Sequence, residues 1–248
     1  MPITRVHCSY HKCLTTYFGE VLRAVGRRGP NRLEFRHFNS DLESFRAELS
    51  NTDLASLNNH ALDLTAFGDY RISRFVRDPR DLVVSGYFFH LRGAEPWTTT
   101  PPVSHKDWMI VNGTIPEGLN PGESFAAHLR RLSTEDGLLA ELEFRTRHFE
   151  SMREWPEHDP AILTLRYEDI IGHERAALGR ILRHLQVPII DRWVGQFFAG
   201  RYAVHSRRGS SAHVRDPTAG QWRQHFTPRV EEAFMAQYED LLGRYRYS

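Results

Sequence analysis

A strand, a loop and the start of a helix follow one another in residues 4–27, whose sequence is TRVHCSYHKCLTTYFGEVLRAVGR. Thr4–Tyr10 is a short, partly apolar run of β type. Thr15–Arg27 then places apolar residues at the three- and four-residue spacing of one helix face, at Phe18, Val21, Leu22 and Val25. The sequence therefore predicts a strand–loop–helix unit here.

The same alternation continues along the chain. Asp41 is suited to cap a second helix that buries Leu42, Phe45 and Leu49, because its carboxylate can accept a free N–H of the first turn. Further strands are predicted over Arg32–Phe38, Leu54–Asn59, Arg71–Val76 and Ala161–Tyr167. Further helices are predicted after the turn at 78–81, ending near Gly93, and over Ser124–Trp155, Glu174–Leu185 and Pro228–Tyr245. Strands that alternate with helices favour an α/β fold with a central parallel sheet flanked by helices.

Gly93–Gly122 breaks this alternation, because five prolines lie there among tryptophans, threonines and histidines. We predict an irregular segment that covers a ligand pocket as a lid and moves when no ligand is bound. Trp97 and Trp108 lie in this segment, where they either pack in the core or supply apolar walls for the pocket.

The composition is that of a protein with a buried core: 248 residues, of which 40% are hydrophobic and 25% charged. That length fits one domain over residues 1–248. The net charge of +1 gives no broad positive field, so we expect neither nucleic acid nor an anionic membrane as a partner.

Targeting signals are not visible in the sequence. The first residues lack the apolar run of a secretory signal, and no stretch approaches the about 18 apolar residues of a transmembrane helix. Cys8 and Cys13 make a poor disulfide framework for a domain of this size. We therefore expect a cytoplasmic protein with no transmembrane segment.

The first loop carries Lys12 and is followed at the predicted helix start by Thr15 and Thr16. A helix start presents free N–H groups and the positive end of the helix dipole, so a lysine and two hydroxyls there could hold a phosphate or sulfate. The loop lacks the glycines of a Walker A motif. Plain capping of the helix is the alternative interpretation.

A second segment, Arg77–His90, has the sequence RDPRDLVVSGYFFH and closely resembles the arginine-to-serine signature of the sulfotransferases that use 3′-phosphoadenosine 5′-phosphosulfate (PAPS). The resemblance implies that Arg77 and Ser85, eight positions apart, bind the 3′-phosphate of the donor. A guanidinium and a hydroxyl are suited to that task on chemical grounds as well. The alternative is a surface arginine paired with Asp78 or Asp81.

Three further segments match the same family in the same order. The first loop is similar to its Pro-Lys-Ser-Gly-Thr-Thr-Trp loop, with Lys12, Thr15, Thr16 and Tyr17 in register. Gly220–Thr227 resembles its C-terminal Gly-Asp-Trp-Lys-Asn-x-Phe-Thr block, and Leu163–Asp169 resembles the strand whose tyrosine, here Tyr167, lies near the adenine. The resemblance implies that Tyr17, Tyr167, Gly220 and the upstream Arg215 contact the donor.

The sequence departs from the family pattern in two places. Cys13 and Leu14 stand where the first loop of the family has serine and glycine, which restricts how closely the backbone can approach the 5′-phosphate. Arg215 is followed by Asp216 and Pro217 where the family has lysine and glycine. Arg207 and Arg208 could compensate for that missing cation.

For the general base, the family often uses a histidine between the first loop and the arginine-to-serine signature, and His60 stands at the matching place. An imidazole can take a proton near neutral pH. A capping or core histidine is the alternative, and His90 and His105 are the next candidates for the base. Asn58 replaces a lysine that some relatives carry.

His7, Cys8, His11 and Cys13 make a compact cluster of nitrogen and sulfur ligands that could suggest a zinc site. Neighbouring residues of a strand point to opposite faces, and no second cysteine pair follows to complete a tetrahedron. The resemblance likewise requires no metal.

Together these segments predict a PAPS-dependent sulfotransferase with a sulfotransferase fold, distantly similar to nucleotide kinases. The acceptor would be a hydroxyl or amine of a small molecule, lipid or carbohydrate. His60 would be the general base, and Lys12 would stabilise the charge on the leaving phosphate oxygen. The alternatives are a nucleotide-binding module without transferase activity and a nucleotide or small-molecule kinase.

Overall fold

The computed structural model describes residues 3–203 and 217–248 of the chain, which form two compact units. The described part of the first unit is residues 3–76, 156–203 and 217, and the second unit is residues 77–155 and 218–248. Within the described ranges, no helix is both long enough and apolar enough to cross a membrane.

The first unit contains a sheet of five parallel strands in the order β2-β3-β1-β4-β5. The strands are β1 (Thr4–Ser9), β2 (Phe35–His37), β3 (Leu54–Asn58), β4 (Tyr70–Val76) and β5 (Ile162–Arg166). The predicted α/β fold with a parallel sheet is confirmed. The chain leaves β1 towards β2 and later crosses from β3 to β4, so the order reverses at β1. Ligands of open parallel sheets bind beyond the carboxyl ends of the strands at such a reversal.

In the described part of the first unit, five helices of four or more residues accompany this sheet. They are α1 (Thr15–Arg28), α2 (Leu42–Glu48), α8 (Tyr167–Ile170), α9 (Glu174–His184) and α10 (Ile189–Arg201). Asp41 caps α2 as predicted, because its side chain accepts from the Ser44 N–H at 2.9 Å. The α9 helix packs on β4 and β5, and α10 packs on α1 and α9.

Two of the predicted strands include a residue whose backbone is left-handed, and both are shorter in the structure. Arg32 has φ 52° and Asn59 has φ 62°, values that no extended strand contains. In the structure β2 covers Phe35–His37 only, and β3 ends one residue earlier than predicted.

The α10 helix has no counterpart in the sequence analysis, and its burial pattern explains why. Its buried face consists of Asp191, Gly195 and Ala199, whereas its large apolar side chains point to solvent. Trp193 and Phe197 are each 63% exposed. The usual signal of a buried helix, a stripe of large apolar residues that faces the core, is therefore reversed here.

The second unit is helical. Its helices are α3 (Pro79–Leu91), α4 (Pro96–Thr99), α5 (Phe125–Arg131), α6 (Thr134–Phe144), α7 (Thr146–Glu154), α11 (Trp222–His225) and α12 (Pro228–Tyr245), and α12 has the predicted bounds. The stretch Ser124–Trp155 is helical as predicted, and it is divided into α5, α6 and α7. Leu132 is extended, and Ser133 caps a new helix by accepting from the Asp136 N–H at 3.1 Å.

The predicted irregular segment, residues 93–122, contains α4 and a short 3₁₀ helix at His105–Val111. Trp108 is only 1% exposed, and its ring lies 5.6 Å from that of Trp97 and 5.1 Å from that of Phe125. Trp97 also stacks on Phe144 at 5.4 Å. Trp108 is thus buried in this unit, and the half-buried Trp97 packs against it and against Phe144.

Candidate active site

The loop that joins β1 to α1, residues 10–14, is called the donor loop below. Leu14 is the N-cap of α1 with φ 60° and ψ 18°, and its side chain makes no capping hydrogen bond. The first turn also contains no acidic residue. Leu14, and not Thr15 or Thr16, is therefore the N-cap, and a helix start of this kind can bind an anion.

The left-handed conformation of Leu14 explains how the loop works without the family's glycine. Leu14 occupies the glycine position, and its φ of 60° is one that glycine adopts without strain. A side chain there costs roughly 1–2 kcal/mol. Lys12, which is half-buried, is left-handed as well, with φ 72°. The loop thus retains a glycine-type backbone path at a cost in stability.

The end of β3 holds the donor loop in place. The Asn59 side-chain oxygen accepts from the His11 N–H at 2.7 Å, and the Asn59 N–H donates to the Ser9 carbonyl at 2.8 Å. The Ser9 hydroxyl donates to the Asn58 side-chain oxygen at 2.9 Å. Asn58 is therefore used inside the sheet. The sequence analysis did not single out Asn59, which has no counterpart among the quoted motifs.

His60 follows directly, and one of its ring nitrogens faces a backbone carbonyl. Its Nε2 lies 3.0 Å from the backbone carbonyl oxygen of Ser40. A carbonyl oxygen only accepts hydrogen bonds, so Nε2 carries the hydrogen and the neutral ring keeps its lone pair on Nδ1. His60 is half-buried, so its ring is not enclosed in the core. This ring state suits a general base that acts through Nδ1.

The two tyrosines predicted near the donor are both buried and bind backbone carbonyls. Tyr17 donates its hydroxyl hydrogen to Ala199 of α10 at 3.0 Å, and Tyr167 donates to Pro217 at 2.9 Å. Tyr167 thereby holds the first residue that the structure describes after residue 203. Arg215, like Arg207 and Arg208, lies outside the described residues.

In the second unit, Arg77 precedes α3 and is 3% exposed, so the interpretation as a surface arginine is wrong. Asp78 is occupied by Arg80, which donates from Nε at 3.0 Å and from Nη2 at 2.8 Å. Arg77 Nη2 lies 3.8 Å from Asp81 Oδ2, beyond hydrogen-bond distance. Asp81 thus provides a nearby countercharge without a hydrogen bond across this distance.

Asp81 also fixes the C-terminal block that the sequence analysis singled out. Its two oxygens accept from the N–H of Gly220 at 2.7 Å and from the N–H of Trp222 at 3.0 Å. Gly220 has φ 80°, which requires glycine at this turn. The Arg80 guanidinium lies 3.7 Å from the centre of the Trp222 ring. The sequence analysis placed Arg80 and Asp81 in a turn and named Asp81 only as an alternative partner of Arg77.

Ser85 lies on α3 between two buried residues and is itself half-buried. The next residue, Gly86, faces a buried ion pair. A Cβ at position 86 would come within 2.0 Å of Glu141 Oε1 and 2.2 Å of Arg145 Nη2. This close packing fixes the rotation of α3 and with it the direction of Ser85.

His90, one of the reserve candidates for the base, belongs to that buried cluster. It is fully buried, and its Nδ1 lies 2.6 Å from Glu141 Oε2, while the other oxygen of Glu141 accepts from Arg145 Nε at 2.8 Å. The His90 ring is therefore held in the interior of this unit beside Glu141, which favours a core histidine at this position. His105, the other reserve candidate, begins the 3₁₀ helix.

The histidines and cysteines near β1 serve the core. His7 Nδ1 lies 2.9 Å from the Ser73 hydroxyl oxygen, and the His7 ring stacks on Phe18 at 3.6 Å. Burial raises the pKa of the Cys8 thiol to about 12, so the thiol keeps its proton. In the two described ranges, no three His, Cys, Asp or Glu side chains are grouped so that they could hold a metal ion.

Comparison with known proteins identifies the family. The family model described as a sulfotransferase domain matches residues 7–246, so the chain belongs to the sulfotransferase family. This confirms the family and the class of enzyme that the sequence predicts. No curated protein matches the sequence.

Solved structures show the same fold. Mouse sulfotransferase SULT7A1 complexed with PAP is 18% identical with a TM-score of 0.56, and the match covers 98% of this chain and 84% of that one. Retinol dehydratase with androsterone and the inactive cofactor PAP is 17% identical with a TM-score of 0.55, over 98% and 82% of the two chains. Retinol dehydratase with retinol and PAP is 17% identical with a TM-score of 0.54, over the same shares.

Proposed function

We propose that this protein transfers a sulfuryl group from PAPS to a hydroxyl or amine of a small-molecule, lipid or carbohydrate acceptor. The observation that carries the proposal is the donor loop. Its left-handed Leu14 leaves the start of α1 without a side-chain cap, next to Lys12 and two threonines. Family membership and the PAP-bound structures of similar fold support PAPS as the donor.

The proposed reaction is an in-line displacement. The acceptor oxygen attacks the sulfur and gives its proton to Nδ1 of His60, while the bond between sulfur and the 5′-phosphate oxygen breaks. The products are the sulfated acceptor and 3′-phosphoadenosine 5′-phosphate (PAP). Lys12 stabilises the negative charge that develops on the leaving phosphate, and Thr15 and Thr16 hold that phosphate.

The remaining site residues are assigned by the resemblance. Arg77 and Ser85 bind the 3′-phosphate. Arg77 is buried beside Asp81, and its planar guanidinium can donate two parallel hydrogen bonds to a phosphate. Tyr17, Tyr167, Arg215 and Gly220 line the donor site. We further propose that residues 1–248 act as one sulfotransferase domain in the cytoplasm, with no nucleic-acid partner.

The acceptor is proposed by chemical class. Two of the structures of similar fold contain androsterone or retinol, both of which are small apolar alcohols. In this chain, Val103, Met109 and Ile110 of the irregular segment are exposed. Apolar alcohols are therefore the first acceptors to test, before amines and sugars.

The deciding experiment is a sulfotransfer assay with labelled PAPS and a panel of alcohols, phenols, amines and sugars. His60→Gln should lower kcat about 10²- to 10⁴-fold and leave PAP affinity nearly unchanged, because the imidazole acts on the acceptor. PAP binding without turnover of any acceptor would favour the binding module. Thermal stabilisation by ATP and not by PAP would favour a kinase.

A further inference from the structure

The first residue after β3, Asn59, directly precedes His60, and its side chain contacts both the donor loop and Ser40. Asn59 is 3% exposed. Its side-chain oxygen accepts from the His11 N–H at 2.7 Å, and its side-chain nitrogen donates to the Ser40 hydroxyl at 2.9 Å. A carboxamide can accept through its oxygen and donate through its nitrogen at the same time.

Ser40 transmits this contact to His60. Its side chain is bound by Asn59, and its backbone carbonyl is the acceptor for Nε2 of His60 at 3.0 Å. Ser40 is itself 5% exposed, and its carbonyl also accepts from the Leu42 N–H at 3.1 Å. The backbone carbonyl of the preceding residue, Asn39, accepts from the Asn58 N–H at 2.5 Å. This hydrogen bond joins the same segment to β3.

We propose that Asn59 is a positioning residue that couples the donor loop to the general base. Through the His11 N–H it sets the path of the loop that carries Lys12. Through Ser40 it holds the ring of His60 with hydrogen on Nε2 and the lone pair on Nδ1. The proposal rests on the proposed function, in which His60 takes the proton of the acceptor and Lys12 stabilises the leaving phosphate.

The backbone at this position makes a clean test possible. Asn59 is left-handed with φ 62°, a conformation that glycine adopts without strain. Asn59→Gly therefore keeps the turn and removes both side-chain hydrogen bonds. Gln186→Gly is the matched control, because Gln186 is also left-handed, with φ 52°, and is exposed on the same unit.

The first measurement reads the ring of His60 directly. In protein labelled with ¹⁵N-histidine, at a pH where the ring is neutral, the two ring nitrogens report which one is protonated. His60→Gln identifies the signals of His60. We expect the Nε2-protonated form in the wild type and in Gln186→Gly, and exchange between both tautomers in Asn59→Gly. An unchanged single tautomer in Asn59→Gly would overturn the proposed link.

The second measurement separates positioning from folding. Asn59→Gly should lower kcat about ten- to a hundredfold with little change in the acceptor KM, since small misplacements of reacting groups cost rate. Ser40→Ala keeps the carbonyl and should lose less. The double variant should be no slower than Asn59→Gly, because both substitutions remove the same hydrogen bond. Fully additive losses, or a kcat within twofold of the wild type, would contradict the proposal.

The two measurements distinguish failure of this inference from failure of the proposed function. If the wild type transfers no sulfuryl group, the function is wrong, and the ring tautomers alone decide whether Asn59 positions His60. If the wild type is active and Asn59→Gly is equally active, the function stands and the positioning role is wrong. Should Asn59→Gly fail to fold, Ser40→Ala provides the same two readouts.

Discussion

At the scale of single residues, Leu14 holds a conformation that its side chain disfavours. The backbone φ of 60° sits where the family carries glycine. Leu14 lies in the donor loop and is the N-cap of α1. Local strain of this kind is kept where surrounding contacts determine the conformation, and functional sites are the usual places.

Leu14→Gly should therefore be more stable than Leu14→Ala. Both variants lose the leucine side chain, and only glycine removes the Cβ that is disfavoured in the left-handed region. The expected difference in the free energy of unfolding is about 1 kcal/mol, measured by urea denaturation. A glycine variant less stable than the alanine variant would show that position 14 carries no strain.

Arg77 is expected to recognise the 3′-phosphate. Arg77→Ala should weaken PAP binding by about 2–5 kcal/mol, the range for removal of one partner of a buried, hydrogen-bonded charge pair. Binding of adenosine 5′-phosphosulfate, which lacks that phosphate, should change much less. Calorimetry with both nucleotides checks this, and equal losses would remove Arg77 from the role. Arg71→Ala, at a half-buried arginine on β4 paired with Asp69, is the control.

At the scale of secondary-structure elements, a buried histidine joins β1, β4 and α1. Burial, followed by the neighbouring His37, lowers the pKa of His7 well below its ordinary value. The pKa of His37 is lowered too, first by its own burial and then by Arg23 of α1. The unfolded chain therefore binds protons more readily than the folded one, and stability falls as the pH drops below about 6.5.

His7→Gln should reduce this acid sensitivity. The free energy of unfolding of the wild type should fall between pH 6.5 and pH 5 by up to about 1.4 kcal/mol per pH unit for this one group. The glutamine variant should show a shallower fall, whereas His158→Gln, at an exposed histidine, should match the wild type. Denaturant titrations at several pH values measure it. Parallel curves for all three proteins would contradict the assignment.

The start of α3 depends on Asp81, which accepts from two N–H groups of the C-terminal block and faces Arg77. Asp81→Ala leaves both N–H groups without this acceptor and Arg77 without this countercharge. We expect a loss of about 3 kcal/mol or more in the free energy of unfolding. Asp81→Asn, which keeps one acceptor oxygen, should lose less. Asp69→Ala, at an exposed aspartate, is the control, and a loss below 1 kcal/mol for Asp81→Ala would be contrary to expectation.

At the scale of the whole molecule, the chain has two lysines, Lys12 and Lys106. One lies in the donor loop and is half-buried, and the other is exposed in the irregular segment. An endoproteinase specific for lysine thus reports on both segments in one digestion. This is informative because the predicted ligand sites of donor and acceptor contain one lysine each.

We expect cleavage after Lys106 first. PAP alone should slow cleavage after Lys12, and PAP with an acceptor should slow cleavage after Lys106, if the segment closes over the acceptor. Mass spectrometry of the fragments over time checks this. Lys106→Arg, which the protease does not cut, is the control that assigns the fragment. Cleavage after Lys106 that is indifferent to every ligand would contradict a lid.

The sequence by itself determined the elements and the motifs, because both depend on residues close together in the chain. Helical spacing in Thr15–Arg28 and strand character in Thr4–Ser9 are local properties, and so are the spacing of Arg77 and Ser85 and the order of the family segments. The same holds for the parallel α/β class, which follows from the alternation of elements.

Only the tertiary structure decided how these residues are held. The Asn59 contact with the donor loop joins positions 48 residues apart, and the Asp81 contact with Gly220 joins positions 139 apart. The direction of Nε2 of His60 is set by a carbonyl 20 residues away. No periodicity or motif encodes such pairs, because each hydrogen bond forms only when folding brings distant backbone and side-chain groups to hydrogen-bonding distance.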